Sequence, residues 1–215
     1  MLMKIQLSEA GKRFNREWIF RNANLELQSG KSYAIVGPNG SGKSTFLQTI
    51  AGMLHLSEGS LQYAISNADT HPGTFIRDEH AYKYISFCAP YLDVIEEMTL
   101  DEFFEFHTNF KEFIPGFTSD NVIDVIGLKS SANKQIRYFS SGMKQRVKLA
   151  QAIFSATEAV LLDEPCSNFD AKGIELYHSL INSFCKNRLV VVCSNDETEY
   201  SFCDEIISIT EFKKH

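Results

Sequence analysis

Residues 37–45 read Gly37, Pro38, Asn39, Gly40, Ser41, Gly42, Lys43, Ser44 and Thr45, which fits G-x-x-x-x-G-K-[ST]. Glycines at these positions let the backbone turn its N–H groups inward around the β- and γ-phosphates of a nucleotide. The helix that must follow adds the favourable end of its dipole. Lys43 sets a positive charge on the β/γ oxygens, and the Ser44 hydroxyl is of the type that ligates Mg²⁺. A second run, AVLLDEP over 159–165, is an apolar strand that ends in two carboxylates. Ligands sit at the C-terminal edge of a parallel sheet. There Asp163 can hold Mg²⁺, usually through water. Glu164 can polarise an attacking water. Alone, two acids in a turn would as readily be solvated; downstream of a phosphate loop they read as chemistry.

These groups need a strand, a turn and a helix in fixed order, and KSYAIVGPNGSGKSTFLQTIAGML supplies them. Ahead of it, MKIQLSEA and EWIFRNANLEL read as two short strands. SLQYAI and YKYISFC follow as further strands. Between those two, SNADTHPGTFIRDEHA reads as a polar loop, with His71 and His80 solvated. Residues 98–140 are mostly helical. Thr99 and Glu102 form a capping box, and Phe103, Phe106, Phe110 and Phe113 fall near helical spacing on one face. SDNVIDVIGL is a short helix ended by Gly127. A long amphipathic helix begins at Ser141, and helix GIELYHSLINSFCK, strand RLVVVCSND and strand EIISIT close the chain. Buried β-branched runs that alternate with helices indicate a parallel sheet covered on both faces.

The 215 residues carry 27 acidic and 21 basic side chains, for a net charge of −6. An acidic chain without a Lys/Arg run is poorly suited to nucleic acid, so none is expected as a partner. No stretch has the ~18 apolar residues of a membrane span, and the N-terminus lacks the apolar core of a secretion signal. A cytoplasmic chain is expected, touching a membrane only through a partner. Cys88, Cys166, Cys185, Cys193 and Cys203 form no C-x-x-C pair and no zinc-like spacing, and the six histidines show no metal spacing.

Three further segments carry a resemblance. FSSGMKQRVKLAQAI (139–153), just before the carboxylate strand, is similar to the signature LSGGQ and helix of the ABC (ATP-binding cassette) ATPases. SNFD (167–170) resembles that family's D-loop. GKRF (11–14) sits where the family stacks an aromatic ring on adenine, which makes Phe14 the candidate stacker, although a strand residue of this kind also suits a core. The resemblance runs from about residue 3 to about 210. It implies one ABC-type ATPase domain over 1–215 with the α/β fold of P-loop NTPases. A RecA-like core with a parallel-rich sheet and an antiparallel β arm (1–90 and 141–215) joins a helical signature subdomain (91–140). ATP and Mg²⁺ are the implied cofactors. The implied partners are a second cassette subunit, same or different, in a head-to-tail dimer, and a polytopic membrane permease. Each ATP would lie between one phosphate loop and the other subunit's Ser140 and Gly142, which open a helix.

The chain also departs from that family. ISFCAPYLD puts Pro90 where the family ends a strand with Gln, and no glutamine lies nearby. The signature has Ser141 for Gly and Met143 for Gln. Asn195 follows VVVCS where the family carries a switch His; an amide donates a hydrogen bond but carries no positive charge. Asn195 also suits an N-cap of the helix DETEYSF. The expected function is the ATP-binding and ATP-hydrolysing motor subunit of a transporter, on the cytoplasmic face of the membrane through its permease. Slow hydrolysis is expected, with Glu164, Lys43 and Asn195 as the catalytic set. The competing readings are a soluble ABC-type switch in translation or DNA maintenance, a cassette that mainly binds ATP, and, ranked last, a small-molecule kinase, which would lack FSSGMKQR.

Overall fold

The computed structural model describes residues 1–66 and 74–212. The N-terminal strands are longer than their apolar runs suggest: β1 spans Leu2–Phe14 and β2 Glu17–Gln28. They pair antiparallel from Lys4↔Gln28 to Phe14↔Glu17 around a two-residue turn. Asn15 takes φ 55° there, a left-handed conformation that Asn tolerates better than most residues. Met3, Ile5 and Leu7 are buried and Gln6 is exposed, the period-two pattern of a sheet with one dry face. β4 (Glu58–Ser66) pairs antiparallel with β1, and β5 (Thr74–Ile76) pairs with β4, which completes a four-stranded arm in the order β2-β1-β4-β5.

Thus the segment expected as a plain polar loop carries regular structure among its described residues: β5 pairs Ile76 with Tyr63, and a 3₁₀ helix runs over Asp78–Lys83. His80 on that helix is exposed, as expected; His71 lies outside the described residues.

The second sheet is fully parallel. Its strands β3 (Ser32–Val36), β6 (Ile85–Cys88), β7 (Ala159–Asp163), β8 (Leu189–Cys193) and β9 (Glu205–Ser208) lie in the order β6-β7-β8-β3-β9. Every residue of β7 and β8 is buried, because both faces are covered. Alternate residues serve two cores. Ala159, Leu161, Leu189 and Val191 pack with the arm and with α1 (Lys43–Ile50) through Phe46, Leu47 and Ile50. Val160, Leu162, Val190 and Val192 pack with α4 (Ser141–Phe154) and α5 (Ala171–Phe184), and that same cluster takes in α2 (Leu100–Thr108) and α3 (Ser119–Val125).

The capping box of α2 forms as expected: Thr99 Oγ1 accepts from the Glu102 N–H, and Glu102 accepts from the Thr99 N–H. Such a cap stabilises a helix by about 1 kcal/mol. The four phenylalanines do not share a face. Phe103 is buried beside Phe104, whereas Phe110 is 71% exposed and stacks edge-on against Phe106 at 5.1 Å. The reason is that α2 stops at Thr108, so Phe110 and Phe113 lie beyond the helix and lose its periodicity. The remaining helix, α6, is the short turn Glu197–Tyr200. No described helix is long and apolar enough to cross a membrane.

Candidate functional site

The phosphate loop leaves β3 after Val36 and enters α1 at Lys43. Gly42 holds φ 102°, and a Cβ there would meet Ile19 Cγ2 at 2.4 Å; a Cβ on Gly37 would meet Ile209 at 2.6 Å. Both positions exclude any larger residue, so the loop is pinned between β2 and the chain's end. Lys43 is 5% exposed and donates to the carbonyls of Gly37 (2.7 Å) and Pro38 (3.2 Å), which folds its ammonium back over the loop. Ser41 N–H closes the turn onto Pro38 O, while the Ser41 hydroxyl is buried without a partner. Asn39 to Thr45, with Ile19 and Glu164, line a shallow cavity of about 260 Å³. The Glu164 carboxylate therefore shares one wall with the loop, as the two motifs required.

Asp163 ends β7 opposite Cys193 and is 1% exposed. Both of its carboxylate oxygens lack a hydrogen-bond partner. Burial raises its pKa; nearby Ser44 and Tyr91 hydroxyls and Lys43 oppose this, though neither hydroxyl reaches full hydrogen-bond geometry. An unpartnered buried carboxylate costs free energy unless a cation or donor completes it. Among the described residues no group of three His, Cys, Asp or Glu could hold a metal. A hydroxyl and one carboxylate beside a phosphate loop are instead the donor set of a cation bound largely through phosphates.

Glu164 adopts φ 42°, uncommon for a side chain of this size, with its N–H bonded to Cys193 O at 2.9 Å. That kink turns the chain out of the sheet, so that successive carboxylates face different surroundings. The segment behind it is tied from two sides. Buried Gln145 of α4 donates to Pro165 O at 2.8 Å, and Glu199 Oε1 accepts from the Cys166 N–H at 2.7 Å. Sequence reading passed over both residues. Gln145 stands two places past the signature, and Glu199 is one acid in the run DETE.

Asn195 follows β8, and its Nδ2 donates to Asn39 Oδ1 at 3.0 Å. It does not cap the helix that follows: Asp196 does, accepting from the Thr198 N–H at 2.9 Å. Ser140 is the N-cap of α4, accepting from the Met143 N–H at 3.2 Å. Gly142 lies against the segment 167–170, where a Cβ would stand 3.3 Å from Asn168 O. Neither Ser140 nor Gly142 lines the cavity of its own phosphate loop. Phe14 is 46% exposed at the end of β1, with the Lys12 ammonium 5.1 Å from its ring centre, and is also outside that cavity.

No glutamine lies near Pro90 in the sequence, but one from a distant element reaches the residue after it. Gln48, from α1, donates to the Tyr91 hydroxyl at 2.8 Å. Lys148 of α4 holds the Pro90 carbonyl at 2.8 Å.

A family model described as "ABC transporter" matches residues 20–167. The chain is 30% identical to the uncharacterized ABC transporter ATP-binding protein YybJ of Bacillus subtilis, over 93% of this chain and 89% of that one. It is 27% identical to the lantibiotic transport ATP-binding protein SrtF of Streptococcus pyogenes, over 90% and 80%. Among solved structures, the dimeric post-hydrolysis state of the ATP-binding cassette MJ0796, bound to ADP and Pi, is 26% identical and superposes with a TM-score of 0.77. That match covers 95% of this chain and 93% of that one.

Proposed function

This chain belongs to the ABC transporter family, as an ATPase subunit of its transporters, and on that premise we propose how its residues carry the reaction. The backbone N–H groups of residues 37–45 and the Lys43 ammonium bind the β- and γ-phosphates of ATP. Ser44 and Asp163 would hold Mg²⁺, which when bound would neutralise phosphate charge. The single observation that carries this reading is the buried Asp163 carboxylate, unpartnered and facing Ser44 at the edge of the phosphate loop. Glu164, on the wall of the same cavity, orients and polarises the attacking water. Asn195 reaches the loop from the other side and offers an amide N–H toward the γ-phosphate. Phe14 stacks on adenine.

The shallow cavity leaves one side of the nucleotide open. A second cassette closes it, presenting its own Ser140 and Gly142 at the N-terminus of α4. Residues 91–140 form the helical subdomain, and the rest forms the core and arm. Between these lies a groove of about 520 Å³ lined by Phe110, Met53, Tyr82 and Leu92, among others. Exposed aromatic and apolar side chains there suit docking of a membrane permease, which supports a working place at the cytoplasmic face of the membrane.

The test is Glu164→Gln. This variant should retain ATP binding, lose turnover and accumulate as an ATP-dependent dimer in light scattering. Turnover at the wild-type rate would move the base elsewhere.

A further inference from the structure

We infer that Tyr91 is a positioning residue of the phosphate site: Gln48 fixes its hydroxyl, which in turn orients the Asp163 carboxylate. The inference rests on the reading of Asp163 and Ser44 as the metal side of that site.

Tyr91 is the third residue of the chain that leaves β6 for the helices. Gln48 lies five residues past Lys43 on α1. Gln48 Nε2 donates to the Tyr91 hydroxyl at 2.8 Å, so the phenol oxygen is already an acceptor there and its own O–H is left to donate. The group it faces is Asp163, whose two oxygens are buried and lack any partner. A free donor therefore stands beside an orphaned acceptor. The backbone beside Tyr91 is also held, since Lys148 of α4 donates to Pro90 O. The amide that holds the phenol comes from α1, far off in sequence.

A donor aimed at Asp163 orders that carboxylate before the metal-loaded nucleotide arrives. Removing it should weaken the apparent affinity for Mg²⁺ and leave the phosphate loop's own grip intact. The experiment titrates Mg²⁺ against the full-length chain and a fluorescent non-hydrolysable ATP analogue, and repeats the binding in EDTA. Tyr91→Phe and Gln48→Leu should each raise the half-saturating Mg²⁺ concentration by roughly tenfold, the worth of one hydrogen bond to a charged group. Affinity in EDTA should not change. Tyr91→Gln, which restores an N–H donor, should recover most of the loss. The ring of Tyr91 is 49% exposed, so Phe is tolerated there without loss of the fold. Wild-type Mg²⁺ half-saturation in Tyr91→Phe overturns the inference, as does an equal loss in EDTA. A wild-type chain whose binding ignores Mg²⁺ overturns the metal reading itself and takes this inference with it.

Discussion

Asn195 and Asn39, 156 residues apart, are joined by an amide–amide hydrogen bond of 3.0 Å that ties the segment after β8 to the phosphate loop. The bond sets a neutral amide beside the phosphate loop, at the position for which a switch role is proposed. Asp196, the next residue, is the one that caps α6. Asn195 is therefore free of a helix-capping duty.

Asn195→His should raise kcat several-fold. An imidazole can hold partial positive charge near neutral pH. A charge-assisted bond to phosphate is roughly twice as strong as a neutral one. Because the cap is Asp196, the substitution should leave the melting temperature nearly unchanged. Steady-state ATPase assays with thermal melts check both. An equal or lower kcat in a folded variant refutes the switch role.

Lys43→Ala should weaken binding of a fluorescent ATP analogue at least tenfold. The ammonium is the charge that the loop turns over its own carbonyls of Gly37 and Pro38, and phosphate would take it over. Equal affinity in the titration would place nucleotide binding elsewhere.

Asn39→Ala should change stability by less than about 0.5 kcal/mol, since the pair is exposed. It should still alter KM for ATP, because the amide lies on the cavity wall. Wild-type KM would mean that the contact with Asn195 has no bearing on the nucleotide.

Acid should destabilise the fold through His107. Its Nδ1 accepts from Gln151, so Nε2–H donates to Ser155 Oγ at 2.9 Å, which fixes a neutral ring. Burial, with help from Lys111, lowers its pKa to about 4 from the ordinary 6.5. A depressed His pKa means that the unfolded chain binds the proton first, so stability is full above about pH 6.5 and falls toward pH 4. The ceiling on the loss is about 3 kcal/mol. Lys111, lowered to about 8, stays charged across that window. Urea midpoints between pH 7 and 5 should drop in the wild type and flatten in His107→Gln. Parallel curves for the two proteins would reject the assignment.

Chemistry that depends on near neighbours in the chain was legible in the residues themselves. A phosphate loop is nine consecutive positions, so spacing alone dictates where glycines, ammonium and hydroxyl lie relative to one another. Asp163 and Glu164 follow an apolar run that can only be a buried strand, and their place at its C-terminal end follows from that. The parallel sheet was legible too, because strands buried on both faces carry unbroken β-branched runs. What spacing could not supply is any contact closed by the fold. Gln48 meets Tyr91 across 43 residues, and Glu199 meets Cys166 across 33. Neither pair leaves a local signature: Gln48, Tyr91 and Glu199 are ordinary polar side chains, and Cys166 contributes only its backbone N–H. The phenylalanines after Thr99 looked like one stripe because helical periodicity was assumed past Thr108, where the backbone stops being helical. The order β6-β7-β8-β3-β9 decides the rest. It brings the ends of β3, β7 and β8 together at one edge, which sets the phosphate loop between Asp163 and Asn195.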